Sequence, residues 1–235
     1  MKRRLPFIVL ALLAGSACLS GQILDRVVAS VNGKPVLLSR VDEQARMAAL
    51  LQGADPAAIS AQDRAIALDR LINQMLVREQ ITRAGFAASD SAVEARMAEI
   101  AQALNAASDQ GWKLTLEHYG LTDGLVRKYV RAEVDEMQFV EARFKPTIKL
   151  APGEVDDFYR NEYLPKLRAR GAREVPISDV RSQIEQIVTE RDITKAMATW
   201  LQALRAQNNV RTWVTFTPEP QAAPEQRAPG APNHP

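Results

Sequence analysis

A chain of 235 residues, 46% of them apolar and 25% charged, is long enough for one sizeable core or two small ones. Its formal net charge of +2 rests on Lys2, Arg3 and Arg4. Without those three, 27 basic residues face 28 acidic ones, and the basic surplus that nucleic-acid binding would need is gone.

Residues 1–20 read as a secretory signal peptide. The three basic residues precede the apolar run Leu5–Leu13, and the small residues Ala14, Gly15, Ser16 and Ala17 follow. The run is too short for a comfortable transmembrane span, and nothing later in the chain is apolar for long enough to cross a bilayer. The single cysteine, Cys18, excludes an internal disulfide. Cleavage after Ala17 would leave Cys18 first, as a candidate lipid anchor, although Gly15-Ser16-Ala17 departs from the usual lipoprotein pattern. Cleavage a few residues later would remove it.

Residues 21–163 open with a β-hairpin. Val27, Ala29 and Val31 alternate with Val28 and Ser30, and Asn32-Gly33 supplies the positive φ values of a tight turn. Val36–Leu38 form the return strand. Ser39 is then expected to cap the first helix, about Ser39–Leu51, with Asp42 reaching back to it. A hairpin alone is marginal in water, so this one must pack on something. Ser60 and Asp63 repeat the cap pattern before a helix over about Ala61–Arg83. Its positions Leu68, Leu71, Ile72, Met75 and Leu76 share one face.

A third helix starts near Ser89–Ser91 and carries Val93, Met97, Ile100 and Leu104. Asn105–Gly111 reads as a polar break before a short helix, Thr115–Tyr119. A long helix runs from Thr122-Asp123 to about Phe144 with Val126, Val130, Val134 and Met137 on one stripe. Thr147–Leu150 looks extended, and Glu154 opens another helix with Asp156 and Asp157 at its positive end. Residues 164–176 form a brief basic connection. Residues 177–216 comprise a long amphipathic helix to about Ala206 and a period-two strand, Val210–Phe216, expected to pair with the hairpin. Residues 217–235 hold six of the 13 prolines and almost no large apolar side chains, the composition of a disordered tail. The fold class is therefore mainly α, a helical core with a small β-hairpin completed by a C-terminal strand.

Catalytic patterns are scarce. Of the two histidines, His234 lies in the tail and His118 stands without a nucleophile or orienting acid nearby in sequence. Glu154, Asp156 and Asp157 lack an EF-hand loop and read as a solvated helix start. No phosphate-binding loop, dinucleotide fingerprint or nucleophile elbow occurs, so no cofactor, metal or catalytic residue is expected. What remains is apolar surface. Trp112, Tyr119, Tyr129, Met137 and Phe139 are the candidate peptide-binding residues: a flexible thioether suits varied partners, Trp112 lies in a Gly-containing break, and Phe139 falls off the main stripe of its helix.

The run VASVNGKPVLLSRVD, Val28–Asp42, resembles the opening of SurA-type periplasmic chaperones and related parvulin-like foldases. LINQMLVREQITRAGF, Leu114–Phe144 with Ile148–Leu150 and Glu154-Val155, and the C-terminal helix and strand resemble later parts of that family in order and spacing. Most members carry one or two parvulin prolyl-isomerase domains, whose place here is taken by Tyr163–Pro176; neither the histidine motif nor the GGDLGW-like segment has a counterpart. The resemblance implies a periplasmic, ATP-independent holdase whose helical core offers an apolar crevice to unfolded exported polypeptides, chiefly outer-membrane protein precursors. Two alternatives stand beside it: a prolyl isomerase relative with a degenerate site, and a structural or lipoprotein subunit of an envelope assembly. Exchange of the terminal helix between two copies would make a homodimer.

Overall fold

A computed structural model describes residues 25–216. The expected signal segment with Cys18 and the expected tail with His234 lie outside the described residues. The chain folds as β1 (Val27–Val31), β2 (Lys34–Leu37), α1 (Leu38–Gln52), α2 (Ala61–Arg83), α3 (Asp90–Ala103), α4 (Asp109–Tyr119), α5 (Asp123–Phe144), α6 (Glu154–Phe158), α7 (Leu164–Ala169), α8 (Ile177–Gln207) and β3 (Val210–Thr212). It is mainly helical with one small antiparallel sheet, as its periodicity predicts.

Asn32 and Gly33 both take positive φ, 51° and 79°, and close the β1–β2 hairpin. β1 is central in the order β2-β1-β3. β3 pairs antiparallel with it, Val31 opposite Val210 and Ala29 opposite Thr212. Val28, Ala29, Val31 and Val36 are buried against Val41, Leu68, Leu71, Ile72 and Leu76 of α1 and α2 and Leu204 of α8. The hairpin thus finds its packing partner, and both ends of the described chain meet there. Asn32 fastens them. Its amide donates to Glu79 (2.9 Å) and to Asn208 (2.8 Å), its carbonyl oxygen accepts from the Asn209 N–H (3.1 Å), and its own N–H donates to the Asn209 carbonyl (2.9 Å).

A second, larger core lies between α1, α3, α4 and α5, with Met47, Leu50, Val93, Ile100, Val126, Val130 and Val134 at its centre. The connection from α2 to α3 is pinned to it by a buried carboxylate: Asp135 on α5 accepts the Ala88 N–H at 2.9 Å. Further along, α8 spans two environments. Val180, Ile184 and Val188 pack on Val155 and Phe158 of α6, and Trp200 and Leu201 reach α2 and α5.

Four local expectations change. Ser39 does not cap α1, which follows β2 without a break and has no side-chain cap. Ser39 instead donates its hydroxyl and its N–H to Asp25, whose carboxyl is thereby held below the usual range, and Asp42 pairs with Arg64 at 2.8 Å. The Ser60–Asp63 capping box does form at α2. The break expected at Asn105–Gly111 is shorter, because Ser108 caps α4 by accepting the Gly111 N–H. A side chain at Gly111 would lie 3.0 Å from the Ser108 hydroxyl, so this glycine makes room for a cap where it reads as an interruption. Residues 145–147 form a 3₁₀ turn with no strand following, and the start of the expected basic connection is helical: α6 runs through a π-helical turn, Tyr159–Tyr163, into α7. The widened turn sits just before Pro165, which has no N–H to donate and whose ring crowds the preceding turn.

Candidate functional site

α2 and α5 cross beside the start of α1 and leave a groove of about 360 Å³, lined by Arg40, Leu71, Gln74, Met75, Arg78, Lys128, Tyr129, Arg131 and Ala132. Helical spacing makes the walls. Leu71, Gln74, Met75 and Arg78 fall at i, i+3, i+4 and i+7 on α2, so the edge of its buried stripe continues into a polar margin. Lys128, Arg131 and Ala132 do the same on α5. The floor is apolar: Leu71 is buried, Met75 is half-buried, and Tyr129 is only 6% exposed.

The margin is cationic. Arg40 sits 5.3 Å from the centre of the Tyr129 ring and is held by Glu43 at 2.7 Å. Arg131 is engaged by Asp90 and by the Ala88 carbonyl. Lys128 and Arg78 are exposed and have no ion-pair partner among the described residues. Carboxylates are missing from the lining of this cavity. The seam continues past Gln74, Arg78 and Ala132 to Glu136, whose carboxyl is pushed up by burial, with Arg70 and Arg78 pulling it back and Glu133 adding to the rise. The Tyr129 hydroxyl has no hydrogen-bond partner among the described residues, and burial pushes it up to about 12, so it stays a neutral phenol.

The five candidate residues are not brought together. Tyr129 lines the groove. Trp112 is half-buried inside α4, where its indole N–H donates to Asp123 at 2.8 Å and ties α4 to the start of α5. Tyr119 is 7% exposed in the large core, edge-on to His118. The expected stripe on α5 is reversed near its end: Phe139 is buried, 5.8 Å from Phe86 and 6.3 Å from Trp200, whereas Met137 is 57% exposed. The reversal follows from α8, which packs on the C-terminal half of α5 from a side that α5's own periodicity does not reveal. Sequence reasoning missed Arg40, Met75, Arg78, Lys128 and Arg131. The available signal was the cations beside apolar positions on two long helices, Arg78 after Met75 on α2 and Lys128 and Arg131 around Tyr129 on α5.

Among the described residues no helix is long and apolar enough to cross a membrane. A protein family described as the SurA-like N-terminal domain matches residues 4–140. The chain is 30% identical over 157 residues to "Chaperone SurA" of Pseudomonas syringae pv. syringae (strain B728a), covering 64% of this chain and 36% of that protein. The corresponding chaperones of Pseudomonas syringae pv. tomato and Pseudomonas savastanoi pv. phaseolicola are 30% and 29% identical over similar lengths. The match thus spans little more than a third of these curated relatives.

Proposed function

Because the chain belongs to the SurA-like N-terminal domain family, we propose that it is an ATP-independent holdase chaperone. It would work in the periplasm on unfolded exported polypeptides, outer-membrane protein precursors among them. The observation that carries this reading is the groove between α1, α2 and α5, whose apolar floor of Leu71, Met75 and Tyr129 is framed by long cationic side chains. Such a surface accepts varied side chains without demanding one sequence. Met137 offers a second apolar point of contact, exposed on α5. Trp112, Tyr119 and Phe139 serve the binding surface by fixing the helices that carry it. Holding a client requires no bond chemistry, so no residue is assigned a catalytic role. Binding suppresses aggregation by mass action, through lowering the free concentration of unfolded chain.

The test is light scattering of an unfolded outer-membrane protein diluted from denaturant. An equimolar amount of this protein is expected to suppress the signal, with dissociation constants for aromatic-rich peptides on the order of 10⁻⁶ M. Undiminished scattering would exclude a holdase role. Acceleration of proline isomerisation in a protease-coupled peptide assay would favour the isomerase reading instead.

A further inference from the structure

The groove's charge is at odds with the rest of the molecule. Beyond Arg4 the chain carries 27 basic and 28 acidic residues, so its surface has no general basic bias. Yet four cations, Arg40, Arg78, Lys128 and Arg131, line one cavity that no carboxylate lines. Two of them are committed: Glu43 holds Arg40, and Asp90 holds Arg131. Lys128 on α5 and Arg78 on α2 stand on opposite walls without ion-pair partners among the described residues. Like charges facing each other across an apolar floor repel one another, and an anionic occupant relieves that repulsion. Glu136, the acid further along the seam, does not line this cavity.

We propose that this groove selects acidic apolar polypeptide segments, seating an aliphatic or aromatic side chain on Leu71, Met75 and Tyr129 while Arg78 and Lys128 hold carboxylates flanking it. The inference rests on the chaperone reading and adds a client preference to it. The side-chain pocket is of the size that takes one large residue or two small ones, so the segment runs along the α2–α5 seam in an extended form. Lys128 and Arg78 are exposed, so their contribution is steering and selection, and it weakens as salt rises.

Fluorescence anisotropy on the full chain would test this with two labelled disordered peptides, one alternating Phe with Glu and the other alternating Phe with Lys. The acidic peptide is expected to bind about tenfold tighter at low salt. The charge-reversed variant R78E/K128E is expected to invert that order, while its circular dichroism stays that of the parent. Equal binding of the two peptides, or an order unchanged in R78E/K128E, overturns the charge selection and leaves the holdase reading standing. Binding of neither peptide, together with unsuppressed aggregation, overturns both. A concentration-dependent dimer that R78E/K128E dissolves assigns the groove to a second copy of this chain and overturns the proposal. So does tighter binding to vesicles of anionic lipid than to the acidic peptide.

Discussion

Single side chains in this protein carry tensions that only the fold creates. Glu136 is the clearest. Burial disfavours its charge more than Arg70 and Arg78 favour it, and Glu133 adds repulsion. The folded state therefore binds the proton more tightly than the unfolded chain does. The cost of the carboxylate is absent below the unfolded carboxyl range, near pH 4, and grows as pH rises through the higher folded value. Glu136→Gln is expected to stabilise the protein by a fraction of a kcal/mol at neutral pH and to lose that advantage near pH 4. Urea midpoints of parent and variant at the two pH values check it; a difference of equal size at both would remove the linkage. Nothing in the sequence marks Glu136, because one acidic residue on a charged helix face looks like any other. Tyr129 was legible as an aromatic worth attention. That its hydroxyl would be buried without a partner was not.

At the scale of elements, local rules worked where local forces decide. The start of α2 and its capping box follow from Ser60 and Asp63. The Asn32-Gly33 turn follows from two residues tolerant of positive φ. The rules failed where Asp25, a group outside the helix, took Ser39 from the α1 cap, and where α7 replaced the start of the expected connection, after a π turn just before Pro165. Asn32 does two jobs, and they separate cleanly. Glycine is at least as comfortable as asparagine at a φ of 51°, so Asn32→Gly leaves the turn intact and removes only the side-chain bonds to Glu79, Asn208 and Asn209. The variant is expected to lose about 1–3 kcal/mol in a urea melt. A midpoint matching the parent would mean that those bonds merely replace equivalent bonds to water.

The whole molecule depends on its last strand. Val210, Val214 and Phe216 cover the hairpin core, and the Trp213 N–H donates to the Val28 carbonyl. Truncation after Asn208 is expected to cost on the order of 3–5 kcal/mol through lost apolar cover alone. Trp213→Ala, at a side chain 56% exposed, is expected to change the melting temperature little. Equal melting of the truncation and the parent would show that the hairpin core is complete without β3. The partnership of hairpin and final strand was readable, because a period-two segment with no local partner must find one elsewhere. The groove was not. It arises from how α2 and α5 cross, and crossing geometry is a property of side-chain packing between helices that no single helix's pattern contains.

The pairing of Val31 with Val210 also sets an order of events. The core between α1, α3, α4 and α5 lies wholly within residues 38–144, while the central strand must wait for nearly the entire chain before its second edge is covered. Until then β1 presents open backbone N–H and C=O groups and an uncovered apolar face, the same hazards that an unfolded client presents. A molecule proposed to shield other chains thus passes through an interval in which it is itself unshielded, and the length of that interval is set by the time α8 takes to deliver β3.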